Sequence, residues 1–324
     1  MEFLSEWQCL KNLLMTFNDI NSLGAQRKPF LFISDFKAQN LKVIPLDSLE
    51  DIEFNLNENY STTPHSFVLQ KSPIDFQSYT KKFDKVIEKI KSGDTYLLNL
   101  TAPTKVNTPL SLKEIYTHAN AKYKLRYKDE FVCFSPEQFI KIQNNTIHTY
   151  PMKGTIDASI ENAKEKILQD KKEMAEHVMV VDLLRNDLSI KAKNVKVEKF
   201  RFITEIEAGT KKLLQVSSHI SGSFDDTWHE NLGNILESLL PAGSISGTPK
   251  KSTLDIIENV EDYDRGYFSG VFGIYDGKSF DSAIMIRFIE KTEDGYIYKS
   301  GGGITLDSDM FLEYNELIDK VYLP

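Results

Sequence analysis

The chain has 324 residues, 41% apolar and 27% charged, an ordinary composition for one large globular domain or two smaller ones. Its 47 acidic and 39 basic side chains leave a formal charge of −8, which argues against nucleic acid or an anionic membrane as the main partner. Two cysteines, Cys9 and Cys133, stand without metal-ligand spacing around them, the pattern of a reduced, cytoplasmic protein.

The N-terminal run MEFLSEWQCLKNLLMTF carries Glu2 and Glu6 where a secretory leader would carry positive charge. Phe3, Leu4, Trp7, Leu10, Leu14 and Phe17 recur at helical spacing, which predicts an amphipathic helix packed on the body. No window approaches the roughly eighteen uninterrupted apolar residues of a membrane span. PFLFISDF, LKVIPL and SFVLQ read as strands, residues 77–91 as a charged helix, and residues 95–100 as a further strand. FIKIQ and TIHTY form a hairpin with Asn144-Asn145 at its tip. A long helix follows over about 160–188, strands over 196–222, and a helix over about 228–239. The turn PAGSISGTPKKS leads into a helix at 250–259, strands at 268–275, 281–290 and 295–299, and a closing helix at about 308–321. Strands come in antiparallel-looking pairs between helices rather than in βαβ alternation, so the fold class is α+β. With no repeat and no long linker, one compact unit is expected.

Glu137 and Lys153 lie sixteen positions apart around the hairpin, so a three-residue loop would set them opposite each other on one face. A two-residue loop would leave them one position out of register and require a bulge near Pro151. A carboxyl facing an amine suits general-acid and nucleophilic amine chemistry, and equally a cross-strand salt bridge. A nucleophilic lysine needs its pKa depressed to roughly 7–8, with the acid partner protonated. Glu173 and Glu176, and again Glu313 and Glu316, are spaced i, i+3 on helices. Two such pairs facing each other would repel unless a cation sat between them, and oxygen ligands without nearby His or Cys favour Mg²⁺. Two solvated acidic faces are the plainer alternative. The turn holding Ser244 fails the phosphate-loop spacing, because Thr248-Pro249 separates Gly247 from Lys250. Its amides and the Ser244 hydroxyl are suited to a carboxylate, as are the main-chain amides of Gly301, Gly302 and Gly303, although ordinary turns would look the same. Arg287, inside the apolar run IMIRF, needs a carboxylate partner, from a ligand or from the protein. Lys320, one turn after Glu316, is either a ligand contact or an i, i+4 pair.

Taken together, the stretches SGDTYLLNL, FSPEQF, PMKGT, AEHVMVVDLLRNDL, PAGSISGTPK, DRGYFSGVFG, DSAIMIRF, SGGGITLDSD and LEYNELIDK resemble, in order, the motifs of the chorismate-utilising enzymes. The resemblance runs from about residue 70 to the C-terminus. It implies an anthranilate synthase component I-like fold, with antiparallel sheets packed together and helices outside. It also implies a catalytic core over 71–324, with 1–70 as a short segment packed on it. Lys153 in the PMKGT turn is similar to the aminodeoxychorismate synthase branch, where this lysine is the proposed nucleophile. Members that activate water carry a lysine base at the position matching Leu97 here. What the resemblance implies is amination of chorismate to 4-amino-4-deoxychorismate, towards 4-aminobenzoate and folate, with Glu137 as general acid and Lys153 as nucleophile. Glu176 and Glu316 would bind Mg²⁺, supported by Glu173 and Glu313. Ser244, Arg287, Lys320 and the Gly301–Gly303 amides would hold the substrate carboxylates. Gln215 and Phe268 stand where the family often has histidine and tyrosine, and would contact substrate without titrating or hydrogen-bonding as those do. A separate glutamine amidotransferase subunit would supply ammonia. Anthranilate synthase component I, a catalytically silent regulatory subunit, and a Mg²⁺-dependent Schiff-base enzyme of unrelated fold are the alternatives.

Overall fold

The computed structural model describes residues 15–56, 68–208 and 211–324. The expected N-terminal amphipathic helix falls on residues 1–17 and so lies almost wholly outside the described residues. Among the described residues every strand pairing is antiparallel. One nine-stranded sheet runs Met152–Asp157, Lys211–Ser223, Thr146–Thr149, Gln138–Gln143, Phe280–Ile284, Val271–Tyr275, Phe30–Ser34 and Leu41–Pro45, with Lys193–Ala208 also paired to Lys211–Ser223. An eight-stranded sheet runs Gly247–Thr248, Leu97–Asn107, Gly295–Ile304, Phe288–Thr292, Phe131–Ser135, Tyr123–Tyr127 and Ile52–Asn55, with Gln70–Ser72 beside Leu97–Asn107.

The strand Phe30–Ser34 explains how the layers join. All five of its residues are buried, because alternate side chains enter different cores. Phe30 and Phe32 join the main cluster, which the helices Phe76–Lys91, Lys171–Ser189, Leu232–Leu239 and Lys250–Val260 close over. Leu31 and Ile33 join a second cluster with Leu125, Cys133 and Phe288 of the other sheet, so this cluster lies between the two sheets. Each such side chain contributes roughly 1.5–3 kcal/mol by burial. The α+β expectation holds, with helices outside the packed sheets. The first 70 residues do more than lie on a finished core: they supply two strands to one sheet and one to the other.

Several predicted boundaries differ. The helix expected over 160–188 is two helices, Ala163–Gln169 and Lys171–Ser189. Asp170 separates them, its carboxylate accepting from the Glu173 N–H at 2.9 Å and so capping the second. The strand predicted over 281–290 is two strands, Phe280–Ile284 and Phe288–Thr292, one in each sheet. Among the described residues of the predicted strand SFVLQ, pairing begins at Gln70. Residues 101–135, for which the sequence pattern assigned nothing, complete the strand Leu97–Asn107 and hold a capped helix, Leu112–His118, and two buried strands.

Candidate active site

The hairpin turn has two residues: Gln143 faces Thr146, and Asn144 and Asn145 both have positive φ, 50° and 58°. Glu137 and Lys153 are therefore one position out of register, and a bulge falls at Lys153–Gly154 in the pairing with the neighbouring strand. Along the strand Lys211–Ser223, Met152 faces Ser217 and Thr155 faces Gln215, so Lys153 and Gly154 together oppose the single residue Val216. Gly154 has φ 87°, and a β-carbon there would also lie 3.1 Å from a Glu173 oxygen. The bulge aims Lys153 at the glycine strand Gly295–Ile304. A β-carbon on Gly303 would meet Lys153 Nζ at 2.9 Å and Leu97 Cδ1 at 3.1 Å. Lys153 and Leu97 thus flank one point, a proximity that their separation in the sequence did not show.

Lys153 Nζ donates to Glu176 Oε2 at 3.1 Å. Lys172 Nζ lies 3.9 Å from Glu176 Oε1 and 3.6 Å from Glu313 Oε1, so carboxylates of two distant helices face each other across one ammonium. Glu313 also accepts from Ser308 Oγ at 2.8 Å. A β-carbon on Gly302 would lie 3.3 Å from Glu313 Oε2 and 3.5 Å from Glu316 Oε1. The side chains of Glu176 and Glu313 are only 8% and 6% exposed, whereas that of Glu316, paired with Lys320 at 2.5 Å, is 51% exposed and marks the mouth. Burial, with neighbouring negative charge, raises the pKa of Glu173 and of Glu313. Among the described residues no three acidic, His or Cys side chains stand at metal-ligating spacing. The donor set nevertheless fits a hard divalent cation: it is all oxygen, it converges, and Lys153, Lys172 and Lys320 offset only part of the charge of its four carboxylates.

Lys153 departs from expectation. Burial alone would lower its pKa, but the charge and hydrogen bond of Glu176, with Glu316 and Glu173, outweigh it, and the pKa is raised. Glu137 shifts in the direction that a general acid would need. Burial raises its pKa against the opposing effects of Ser244, Lys153, Lys320 and Arg287. Ser244 donates to Glu137 Oε1 at 2.6 Å, so the carboxylate that this turn meets is the protein's own. Arg287 sits in the break between sheets with φ 52°, not within a strand. Its Nε has no hydrogen-bond partner, its guanidinium lies 5.2 Å from the Tyr322 ring, and among the described residues it forms no ion pair. An internal salt bridge therefore does not account for it. Lys320 donates to the Gly301 carbonyl at 2.9 Å.

Two expected contacts are placed differently. Phe268 is 2% exposed in the cluster between the sheets, 6.1 Å from the Phe288 ring, and it is not brought to the glutamates. Packing between sheets claims this aromatic. Gln215 lies just beyond the lysine bulge, opposite Thr155, and its buried Oε1 has no partner. Sequence reasoning missed Lys172, although its i, i+4 spacing to Glu176 was visible; its reach to Glu313 was not.

The family described as chorismate binding enzyme matches residues 6–323. An uncharacterized PabA-like protein of Pasteurella multocida (strain Pm70) is 46% identical over 312 residues, covering 94% of this chain and 96% of that one. The aminodeoxychorismate synthase component 1 of Bacillus subtilis (strain 168) is 26% identical, covering 95% of this chain and 68% of that protein. Among solved structures, a putative 2,3-dihydroxybenzoate-specific isochorismate synthase of Bacillus anthracis superposes with a TM-score of 0.72 at 20% identity, over 94% of this chain and 87% of that one, which shows the shared fold. No helix among the described residues is long and apolar enough to cross a membrane.

Proposed function

The chain belongs to the chorismate binding enzyme family, and from that premise we propose that it aminates chorismate to 4-amino-4-deoxychorismate, on the way to 4-aminobenzoate and folate. The observation that carries this reading is the bulge-borne Lys153 amine, placed against Gly303 across from Leu97, within the charge of Glu137. An amine stands at the position for attack on the ring, and an apolar side chain stands where a water-activating lysine would be needed. In this reading the Lys153 ammonium first passes a proton to Glu176, its hydrogen-bond partner, and the neutral Nζ then forms a bond to ring carbon 2 as the double bond shifts and the carbon 4 hydroxyl leaves. Glu137 gives that hydroxyl its proton, so it departs as water. Ammonia then bonds to carbon 4, the double bond returns, and Lys153 is expelled. Ser244 holds one oxygen of Glu137, which leaves the other to carry the proton. Arg287, whose Nε lacks a partner, receives a substrate carboxylate. Glu176 and Glu316, with Glu173 and Glu313, would hold Mg²⁺, which would neutralise a substrate carboxylate and polarise the ring. Ammonia would come from a separate glutamine amidotransferase subunit. The name of the Bacillus subtilis relative, component 1, supports that arrangement.

The test is product analysis by chromatography with ammonium salt as donor. Lys153→Ala should lose aminodeoxychorismate formation by at least about 100-fold, in the range of a lost nucleophile or acid–base group. An undiminished rate would show that Lys153 is only a charge in the cleft.

A further inference from the structure

His177 is fully buried on the helix Lys171–Ser189, one position past Glu176, and none of the chemistry above uses it. Its Nε2 lies 2.7 Å from Ser218 Oγ. Ser218 is a junction of three chain segments. Its N–H donates to the Pro151 carbonyl at 3.0 Å, two residues before Lys153, and its Oγ accepts from the Arg201 N–H at 2.9 Å. Arg201 lies in a second irregularity, where the pairing of Lys193–Ala208 with Lys211–Ser223 shifts between Lys199 and Phe202.

The hydroxyl has one proton, and with Oγ accepting from Arg201 that proton is available to Nε2 when the imidazole carries its hydrogen on Nδ1. Nδ1 has no hydrogen-bond partner, although the neighbouring Lys153 main-chain carbonyl favours a proton on the ring. Phe200 packs edge-on at 5.8 Å and closes the ring in. A bulge leaves its extra residue without a ladder partner, so its backbone needs another anchor. Here a rigid ring spans from the helix that presents Glu176 to the backbone that presents Lys153.

We propose that His177 is a positioning residue: with Ser218 it fixes the 151–154 backbone against the Glu176 helix and so sets where the Lys153 amine projects. This rests on the reading of Lys153 as nucleophile. The experiment compares His177→Leu, His177→Gln and Ser218→Ala by steady-state kinetics with chorismate, Mg²⁺ and ammonium salt. Alongside these run thermal melts and mass-spectrometric labelling of Lys153 by trinitrobenzenesulfonate, relative to other lysines. His177→Leu and Ser218→Ala should lower kcat about 10- to 100-fold, the scale of an ångström-level misplacement, with the chorismate KM within about threefold. His177→Gln, whose amide can still reach Ser218, should recover most of kcat and the wild-type labelling rate. A role in packing alone predicts a lower melting temperature with kcat unchanged and equal effects of Leu and Gln, and that result overturns the proposal. If His177→Leu does not fold, Ser218→Ala decides by the same criteria. Lys153→Ala is the control. If it stays active, the nucleophile reading falls and the positioning role with it; if it is inactive while the His177 and Ser218 variants keep wild-type kcat, only the positioning role falls.

Discussion

Three consecutive glycines, Gly301 to Gly303, should fail in three different ways when replaced by alanine, because a β-carbon at each meets a different kind of neighbour. None has a positive φ, so backbone strain does not enter. At Gly301 the new carbon would lie 2.3 Å from the Leu100 carbonyl oxygen and 2.7 Å from Thr101 Cα, both main chain of the paired strand. Ordinary contact is near 3.4 Å or more, so the strands must separate by about 1 Å, an overpacking cost of about 1–3 kcal/mol. The melting temperature should fall by a few degrees, at roughly 1.5 °C per kcal/mol for a chain of this size. At Gly303 the neighbour is the mobile end of Lys153, at 2.9 Å. Relief needs a shift of only about 0.5 Å, which costs little stability but moves the amine. Since a 1 Å misplacement can cost about 100-fold, kcat should fall about tenfold. At Gly302 the carboxylates of Glu313 and Glu316 lie at 3.3 and 3.5 Å, near normal contact, so stability and kcat should stay close to wild type. The assay is a calorimetric melt beside kcat with ammonium salt for all three variants. If Gly303→Ala keeps wild-type kcat, or loses as much stability as Gly301→Ala, the placement of Lys153 against this strand is wrong.

Activity should require Mg²⁺, and Glu176→Gln or Glu316→Gln should abolish turnover without unfolding the protein; full activity in excess chelator would refute the metal assignment. Stability should also depend on pH through His229, which bonds the Tyr275 hydroxyl at 2.7 Å, contacts Arg27 and stacks on Trp228. Burial first, and then the charge of Arg27, push its pKa down to about 4. The folded value lies below the unfolded one of about 6.5, so its contribution is complete above pH 6.5 and is lost as pH falls towards 4. The slope for this proton is at most about 1.4 kcal/mol per pH unit. Urea melts between pH 7 and 4.5 should therefore show a shallower acid loss in His229→Phe than in wild type; an equal or steeper loss contradicts the assignment.

Much of the site was legible because its parts are local. The i, i+3 glutamates are visible on any helix, and the hairpin was visible from its strands. The choice between a two- and a three-residue turn was not, since it depends on Asn144 and Asn145 both taking positive φ. Nor was the bulge that presents Lys153, which arises in the pairing with Lys211–Ser223, about sixty residues on. Arg287 read as a strand residue because IMIRF contains no breaker. The chain turns there by passing from one sheet to the other, an event that only tertiary pairing determines. Phe268 read as a cleft wall, yet the space between two sheets had the stronger claim on an aromatic ring. The buried strands Tyr123–Tyr127 and Phe131–Ser135 were passed over because residues buried on both faces show no clean alternation.

The ionisation of Lys153 marks where local reading stops. The proposed chemistry needs a neutral amine beside a protonated acid, and burial pushes both groups that way. Burial does raise Glu137, whose nearest charges are cations that only partly oppose it. The same burial acts on Lys153, but Glu176 and Glu173 from one helix and Glu316 from another reverse the net effect. These helices are over a hundred residues apart in the chain, so no window of sequence contains the balance. An amine at this position is therefore necessary for the proposed chemistry but does not by itself make a nucleophile. Its charge is set by the carboxylates that face it, so in the proposed chemistry the glutamate helices would tune the nucleophile as well as hold the cation.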